Sequence, residues 1–256
     1  MIDLHSHILH ALDDGARTRE ESLVMARLAV ADGITEMVAT PHSPASTASV
    51  VYDPALIRDR TEVLSDMLRA EGIALRVLAG TEIAFVSDVA DQLERGTLLP
   101  YEGTRLILLE PPYSGLPENF GTVLFGLQIA GYRVLMAHPE RLPDVQENPN
   151  RLIPLIERGV LMQLTAQALT GGQGKHLREL AERLVVHRMI HVLASDSHGL
   201  PPRRVPAMAM ARDRAAELIG EEAARALVLD TPRALLDGLP VYPSPPRPVP
   251  QRRNWW

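Results

Sequence analysis

The 256-residue chain contains no cysteine. That absence excludes disulfides, thiolate zinc sites of the C-x-x-C type and every enzyme that attacks its substrate with a thiolate. Any metal bound here must sit on imidazole and carboxylate, ligands that suit manganese, iron or zinc rather than soft ions. Surplus positive charge is also missing: 26 basic against 32 acidic side chains give a net charge of −6. Nucleic acid is therefore a disfavoured partner, since it wants a basic face. No stretch approaches the roughly 18 uninterrupted apolar residues of a membrane span, and the start Met1-Ile-Asp-Leu-His5 lacks the basic and apolar regions of a signal peptide. A cytoplasmic location without membrane insertion is the expectation.

What is present is ordinary globular composition, 46% hydrophobic, long enough for one large α/β barrel or for two α/β domains. Short β-branched or leucine-rich runs alternate with longer amphipathic segments, the pattern of parallel strands and crossover helices. Thr18-Arg-Glu-Glu21 reads as a capping box opening a helix that Gly33 closes, and Asp53-Pro54 as the N-cap and first turn of a helix closing near Gly72. Seven strands are predicted, at Ile2–Leu4, Glu36–Ala39, Leu75–Ala79, Arg105–Leu109, Tyr132–Ala137, Val160–Leu164 and Ile190–Ala194. Periodicity alone does not separate a closed barrel from an open doubly wound sheet. Residues 240–256 hold six prolines, three arginines, no acid and both tryptophans. A proline density this high predicts an extended tail, residues 239–256, outside the core of a 1–238 domain.

Metal-competent side chains fall at the strand ends. His5-Ser-His7 follows the first strand, Thr40-Pro-His42 the second, Thr81-Glu82 the third, Glu110-Pro-Pro the fourth, His138-Pro-Glu-Arg141 the fifth and Asp196-Ser-His198 the seventh. The sixth runs into Gln163-Leu-Thr165-Ala-Gln167, which offers no obvious ligand. In a parallel barrel all these ends share one face, where barrel active sites form. Extended residues alternate sides, so both imidazoles of H-x-H reach one ion, and Asp196-x-His198 works alike. His5, His7, Asp14, His42, Glu82, Glu110, His138, Asp196 and His198 make nine candidate ligands, enough for two or three ions.

Each feature also has a plainer reading. Asp13-Asp14-Gly15 fits a turn, the expected role of Asp13. His10, His176, His187 and His191 have no strand-end placement and are expected at surface or structural positions. Arg141 and Arg203-Arg204 would serve as solvated charges, but loop arginines on a metal face also suit phosphate, which guanidinium binds bidentately. Glu82 and Glu110, each following an apolar run, need a partner such as a cation if they lie at a core edge.

The set Asp3-Leu-His5-Ser-His7, Asp13-Asp14-Gly15, Ala39-Thr-Pro-His42, Glu82, Glu110-Pro, Ala137-His-Pro-Glu-Arg141 and Ala194-Ser-Asp-Ser-His198 resembles the polymerase-and-histidinol-phosphatase (PHP) superfamily. Within it, the chain is most similar to the bacterial manganese-dependent protein-tyrosine phosphatases encoded with capsule and exopolysaccharide genes. The resemblance implies a distorted (β/α)7 barrel with a trinuclear metal centre at the C-terminal mouth of its strands, manganese first, with iron or zinc as alternatives. Carried over by motif, His5, His7, Glu82 and Asp196 would hold one ion, Glu82, Glu110 and His138 a second, and Asp14, His42 and His198 a third. Arg141 and Arg203 match the phosphate-binding arginines. The implied substrate is phosphotyrosine on a bacterial tyrosine autokinase that drives polysaccharide assembly, and a homo-oligomer of variable geometry is allowed.

Without a cysteine, phosphate transfer to a thiolate is impossible, so the expected nucleophile is water or hydroxide bridging two ions, with its pKa brought from 15.7 toward roughly 7. A tyrosine leaving group, of pKa about 10, departs with less acid assistance than an alkyl alcohol. Two rivals remain. A phosphomonoesterase of the histidinol-phosphatase type would share the ligands and differ in loops such as Pro112–Asn119, and a non-catalytic metal-binding, kinase-docking protein would keep the barrel alone.

Overall fold

The computed structural model describes residues 1–46, 50–201 and 204–250. Among the described residues there are eight strands: β1 (Ile2–Ser6), β2 (Glu36–Ala39), β3 (Arg76–Ala79), β4 (Glu82–Ala84), β5 (Leu106–Glu110), β6 (Arg133–Met136), β7 (Leu161–Thr165) and β8 (Val192–Ala194). All pairings are parallel, in the orders β1-β2-β3 and β4-β5-β6-β7-β8. Helices cross between them, as a mixed α/β chain with parallel sheets requires.

Local chemistry accounts for the helix starts. Thr18 accepts a hydrogen bond from the Glu21 amide and opens Arg19–Ala31, while Asp53 accepts from the Ala55 amide and opens Pro54–Ala70. One expected strand is two. The predicted Leu75–Ala79 run ends at Ala79, and β4 begins at Glu82. Between them the chain leaves its partner β2 and joins β5. Gly80 makes the step, for a Cβ there would sit 2.9 Å from both Tyr101 and Val38.

The two sheets meet at both edges. Near β4, Glu82 bridges to His42 and the Ser43 amide donates to the Glu82 carbonyl at 3.0 Å. Near β1, the Asp196 amide donates to the His5 carbonyl at 2.8 Å and the His7 amide to the Ser197 carbonyl at 2.9 Å. Asp3 adds a side-chain tie, accepting from the Ser195 amide at 2.9 Å.

Strand alternation sorts the apolar residues into two cores. On β5, Ile107 and Leu109 join the large cluster packed with helices. Leu106 and Leu108 join a smaller one with Ile2, Leu4, Val38, Leu135 and Val192. Glu110 and Gln163 continue the parity of the smaller core, so its end becomes polar.

Residues 239–250 form no helix or strand, yet not all of them lie outside the core. Val249 is 4% exposed within the large cluster. Asn150 clasps it, accepting from the Val249 amide at 2.7 Å and donating to its carbonyl at 3.0 Å. Trp255 and Trp256 lie outside the described residues. Among the described residues, no helix is long and apolar enough to cross a membrane.

Candidate metal centre

All nine predicted ligands meet at the C-terminal ends of the strands. Eight are buried, and Asp14 is the exposed member. Around the first position, His5 Nε2 lies 3.3 Å from His7 Nε2, 3.2 Å from Glu82 Oε2 and 3.3 Å from Asp196 Oδ1. His7 Nε2 lies 3.3 Å and 3.5 Å from the same two oxygens. Ligands about 2.0–2.2 Å from one ion are separated by about 3–3.5 Å at tetrahedral or octahedral angles, so these spacings match the edges of a coordination polyhedron.

Among the described residues, four overlapping groups could hold a metal: His5, His7 and Asp196; His5, Glu82 and His138; His42, Glu82 and Glu110; and His7, Asp14, His42 and His198. The expected partition is matched only in part, since Glu110 and His138, assigned to one ion by motif, fall in different groups. It differs in that His42 also approaches Glu82, at 3.1 Å, and His7 also neighbours the Asp14 group. Glu82 is shared by two of the groups, and its other oxygen is 2.7 Å from His138 Nε2.

Burial and charge oppose one another here. Burial favours the protonated Glu82, but His5, His138 and His42 around it hold its pKa well below the carboxylate range. Asp196 behaves alike: burial is overcome by His5, Arg141 and Arg204. Glu110 has the weaker company, and burial followed by the Glu82 charge pushes it up to about 7. Its Oε1 is buried without a hydrogen-bond partner, as befits an atom that needs a cation. Burial and Arg141 bring His138 down to about 4, a neutral imidazole available to a metal.

Orientation comes from groups that strand-end spacing did not single out. His7 Nδ1 donates to Asp13 Oδ2 at 2.6 Å and His5 Nδ1 to Gln163 Oε1 at 3.0 Å, in the tautomers that leave both Nε2 atoms facing the cluster. Asp13 also accepts from the Gly15 amide at 2.8 Å and the His42 amide at 3.0 Å, so the expected turn is only half of its role. A Cβ on Gly15 would meet the His7 carbonyl at 2.1 Å, which forces glycine there. The backbones of His138 and Asp196 adopt positive φ, 30° and 50°. Such conformations cost about 1–3 kcal/mol in a non-glycine residue.

A cavity of about 260 Å³ opens on the cluster, lined by ligands together with Tyr113, Arg141 and Arg204. Arg141 donates to Thr165 Oγ1 at 3.0 Å and to Asp196 Oδ2 at 2.5 Å. Burial alone would lower its pKa, but Asp196 and Glu140 raise it. Arg203 lies outside the described residues. Its neighbour Arg204 lines the cavity, 2.9 Å from Asp196 Oδ2. Among the other histidines, His10 accepts from Arg60, and His191 accepts from the Met162 amide at 2.9 Å, buried away from the cluster.

The family model for capsular polysaccharide synthesis, CpsB/CapC, matches residues 1–237. The tyrosine-protein phosphatase YwqE of Bacillus subtilis (strain 168) is 36% identical over 256 residues, 99% of this chain and 98% of that protein. The tyrosine-protein phosphatase CpsB of Streptococcus pneumoniae is 27% identical over 92% of this chain and 98% of its own length. A crystal structure from work on YwqE and CpsB, described as unique metal-dependent tyrosine phosphatases, superposes with a TM-score of 0.91 at 36% identity, covering 98% of this chain and 100% of its own. An organophosphorus hydrolase from Deinococcus radiodurans shares the fold alone, with a TM-score of 0.55 at 15% identity over 93% of this chain and 92% of its own. The chain belongs to the CpsB/CapC capsular polysaccharide synthesis family.

Proposed function

We propose that this chain is a metal-dependent protein-tyrosine phosphatase, a phosphoric monoester hydrolase acting on phosphotyrosine of a bacterial tyrosine autokinase in capsule or exopolysaccharide synthesis. The observation that carries the reading is the set of nitrogen and oxygen donors spaced 3.2–3.5 Å apart around His5 and His7, beside a cavity that Arg141 lines. The relatives' names support it, and a chain without cysteine has no thiolate with which to attack phosphorus. We read the joined sheets as a distorted (β/α)7 barrel, residues 1–238 as the catalytic unit with 239–256 appended, and the cytoplasm as its location.

The donor set fits three divalent ions, best manganese: His5, His7, Glu82 and Asp196 for one, Glu82, Glu110 and His138 for the next, and Asp14, His42 and His198 for the third. When bound, such ions make water nucleophilic near neutral pH and withdraw charge from phosphate oxygens. The protein residues do the rest. Arg141 and Arg204 set two positive charges at the cavity, where a guanidinium pairs with a phosphoryl group. Arg203 is the further arginine assigned to phosphate. Asp13 and Gln163 hold the His7 and His5 rings in one tautomer, which keeps the donor geometry fixed while phosphate enters and leaves.

Metal analysis of the purified chain, coupled to turnover of a phosphotyrosine peptide and of histidinol phosphate, tests the reading. Two or three manganese ions per chain and a preference for the peptide are expected. Faster turnover of histidinol phosphate would replace the protein substrate with a small one, and metal-loaded protein inert toward every phosphate ester would leave only a binding role.

A further inference from the structure

Tyr113 stands apart from the other residues of the cavity. Among the described residues lining it, this is the one phenol ring in a wall of imidazoles, carboxylates and guanidinium groups. The ring is 51% exposed. It is parallel to His138 within 3°, with centroids 6.2 Å apart, and burial followed by the nearby Glu110 charge raises the pKa of its hydroxyl.

The loop beneath it is pinned on both sides. The Gly115 amide donates to the Pro112 carbonyl at 3.0 Å, the Leu116 amide to Asp144 Oδ2 at 3.0 Å, and Asn119 Nδ2 to Ser87 Oγ at 3.0 Å. Gly115 has φ of 119°, and a Cβ there would lie 2.9 Å from the Asp144 carboxylate, so the crossing to that anchor is closed to other residues. A large aromatic surface is therefore held in place, half in solvent, at the mouth of a polar cavity. Exposed rings on loops normally turn freely; this one is preorganised, which lowers the entropy lost when a ligand settles on it.

We infer that Tyr113 is a specificity-determining residue, the wall on which the aryl group of the substrate rests while its phosphate occupies the metal and arginine end. The inference rests on the phosphatase reading above. A phosphate group alone would gain nothing from this ring, whereas a phenyl ring stacks on it edge-to-face or offset. Tyr113 thus separates phosphotyrosine from phosphoserine by contact with the side chain that carries the phosphate, not by the phosphate itself.

The test is steady-state kinetics on the manganese-loaded full chain with a phosphotyrosine peptide, alongside inhibition by inorganic phosphate, for the parent, Y113F and Y113A, each with its metal content measured. Y113A is expected to raise KM for the peptide by about 3- to 10-fold, the range of one aromatic pair. Its kcat and its inhibition constant for phosphate should stay within about twofold of the parent, since a contact made equally in ground and transition states moves KM alone. Y113F keeps the ring and should keep the parent KM. An unchanged KM in fully metallated Y113A overturns the ring contact and leaves the phosphatase reading intact. Loss of metal or of kcat in both variants also overturns it, by assigning Tyr113 to support of Glu110. A parent that cleaves no phosphotyrosine peptide sinks the phosphatase reading, and this inference with it.

Discussion

At the N-terminal ends of the strands, the buried carboxylate of Glu36 is paired within the chain, with Arg76 at 2.6 Å on one oxygen and Arg233 on the other. At the C-terminal ends, Glu82 faces four imidazoles within 3.3 Å, and Glu110 Oε1 has no hydrogen-bond partner. The base also holds its histidine neutral: burial brings His191 down to about 4, and the ring accepts from the Met162 amide. One end is thus a balanced structural network, and the other gathers donors whose charge is completed from outside. Buried ionisable groups are costly in either place, so the end left unbalanced is the one that has a use for the imbalance.

The largest effect should come from removing a ligand at the C-terminal end. Asp196→Ala or His42→Ala is expected to take phosphatase activity to background while circular dichroism stays that of the parent; near-normal turnover by either would break the comparison. Asp13→Asn keeps the shape and removes a charge behind His7. Isothermal titration should find metal affinity about 10- to 100-fold weaker, and an unchanged affinity would reduce Asp13 to its turn.

Metal itself should stabilise the chain by about 2.7 kcal/mol at a hundredfold excess over Kd. A thermal shift on adding manganese that is undiminished in a variant lacking Glu82, which two of the groups share, would show that the ions act elsewhere. At the base, deleting residues 239–256 should remove about 1.5–3 kcal/mol, the burial of Val249, with kcat unchanged in chemical denaturation and turnover run side by side. A fall in kcat would tie the two ends together.

The last effect shows only in acid. Unfolded His191 takes up a proton near pH 6.5, folded His191 only near 4. The folded state therefore loses stability as pH falls through that window, and nothing is lost above about 6.5. In chelator-treated protein, His191→Gln should flatten the decline of stability between pH 6.5 and 4; an identical slope would move the acid sensitivity to the C-terminal end.

Much of this was legible in the sequence, for reasons that vary by residue. Glu36–Ala39 matches β2 residue for residue because an apolar run directly follows a helix stop at Gly33. Thr18 and Asp53 cap helices because their hydroxyl and carboxylate reach amides two or three residues on. The convergence of the nine candidate ligands was legible because H-x-H and D-x-H spacing on extended chain states which side chains agree in direction. The division of the third strand was not, since β3 and β4 have different partners and a period-two pattern carries no partner label. Gln163 escaped because it supports a residue 158 positions away. The tail's proline density foretold its lack of helix and strand, but the burial of Val249 goes with a clasp by Asn150, 99 positions earlier.

The left-handed backbones of His138 and Asp196 have a further consequence for anyone who breeds this protein. Glycine relaxes such a conformation at little steric expense. Glycine at Asp196 would, however, strand the Arg141 and Arg204 guanidinium groups, and glycine at His138 would take a partner from Glu82, so a library screened for heat tolerance gains no simple relief at either position. The strained backbone is thus held in place by the very side chains it presents, and robustness and chemistry pull the same way at these two residues.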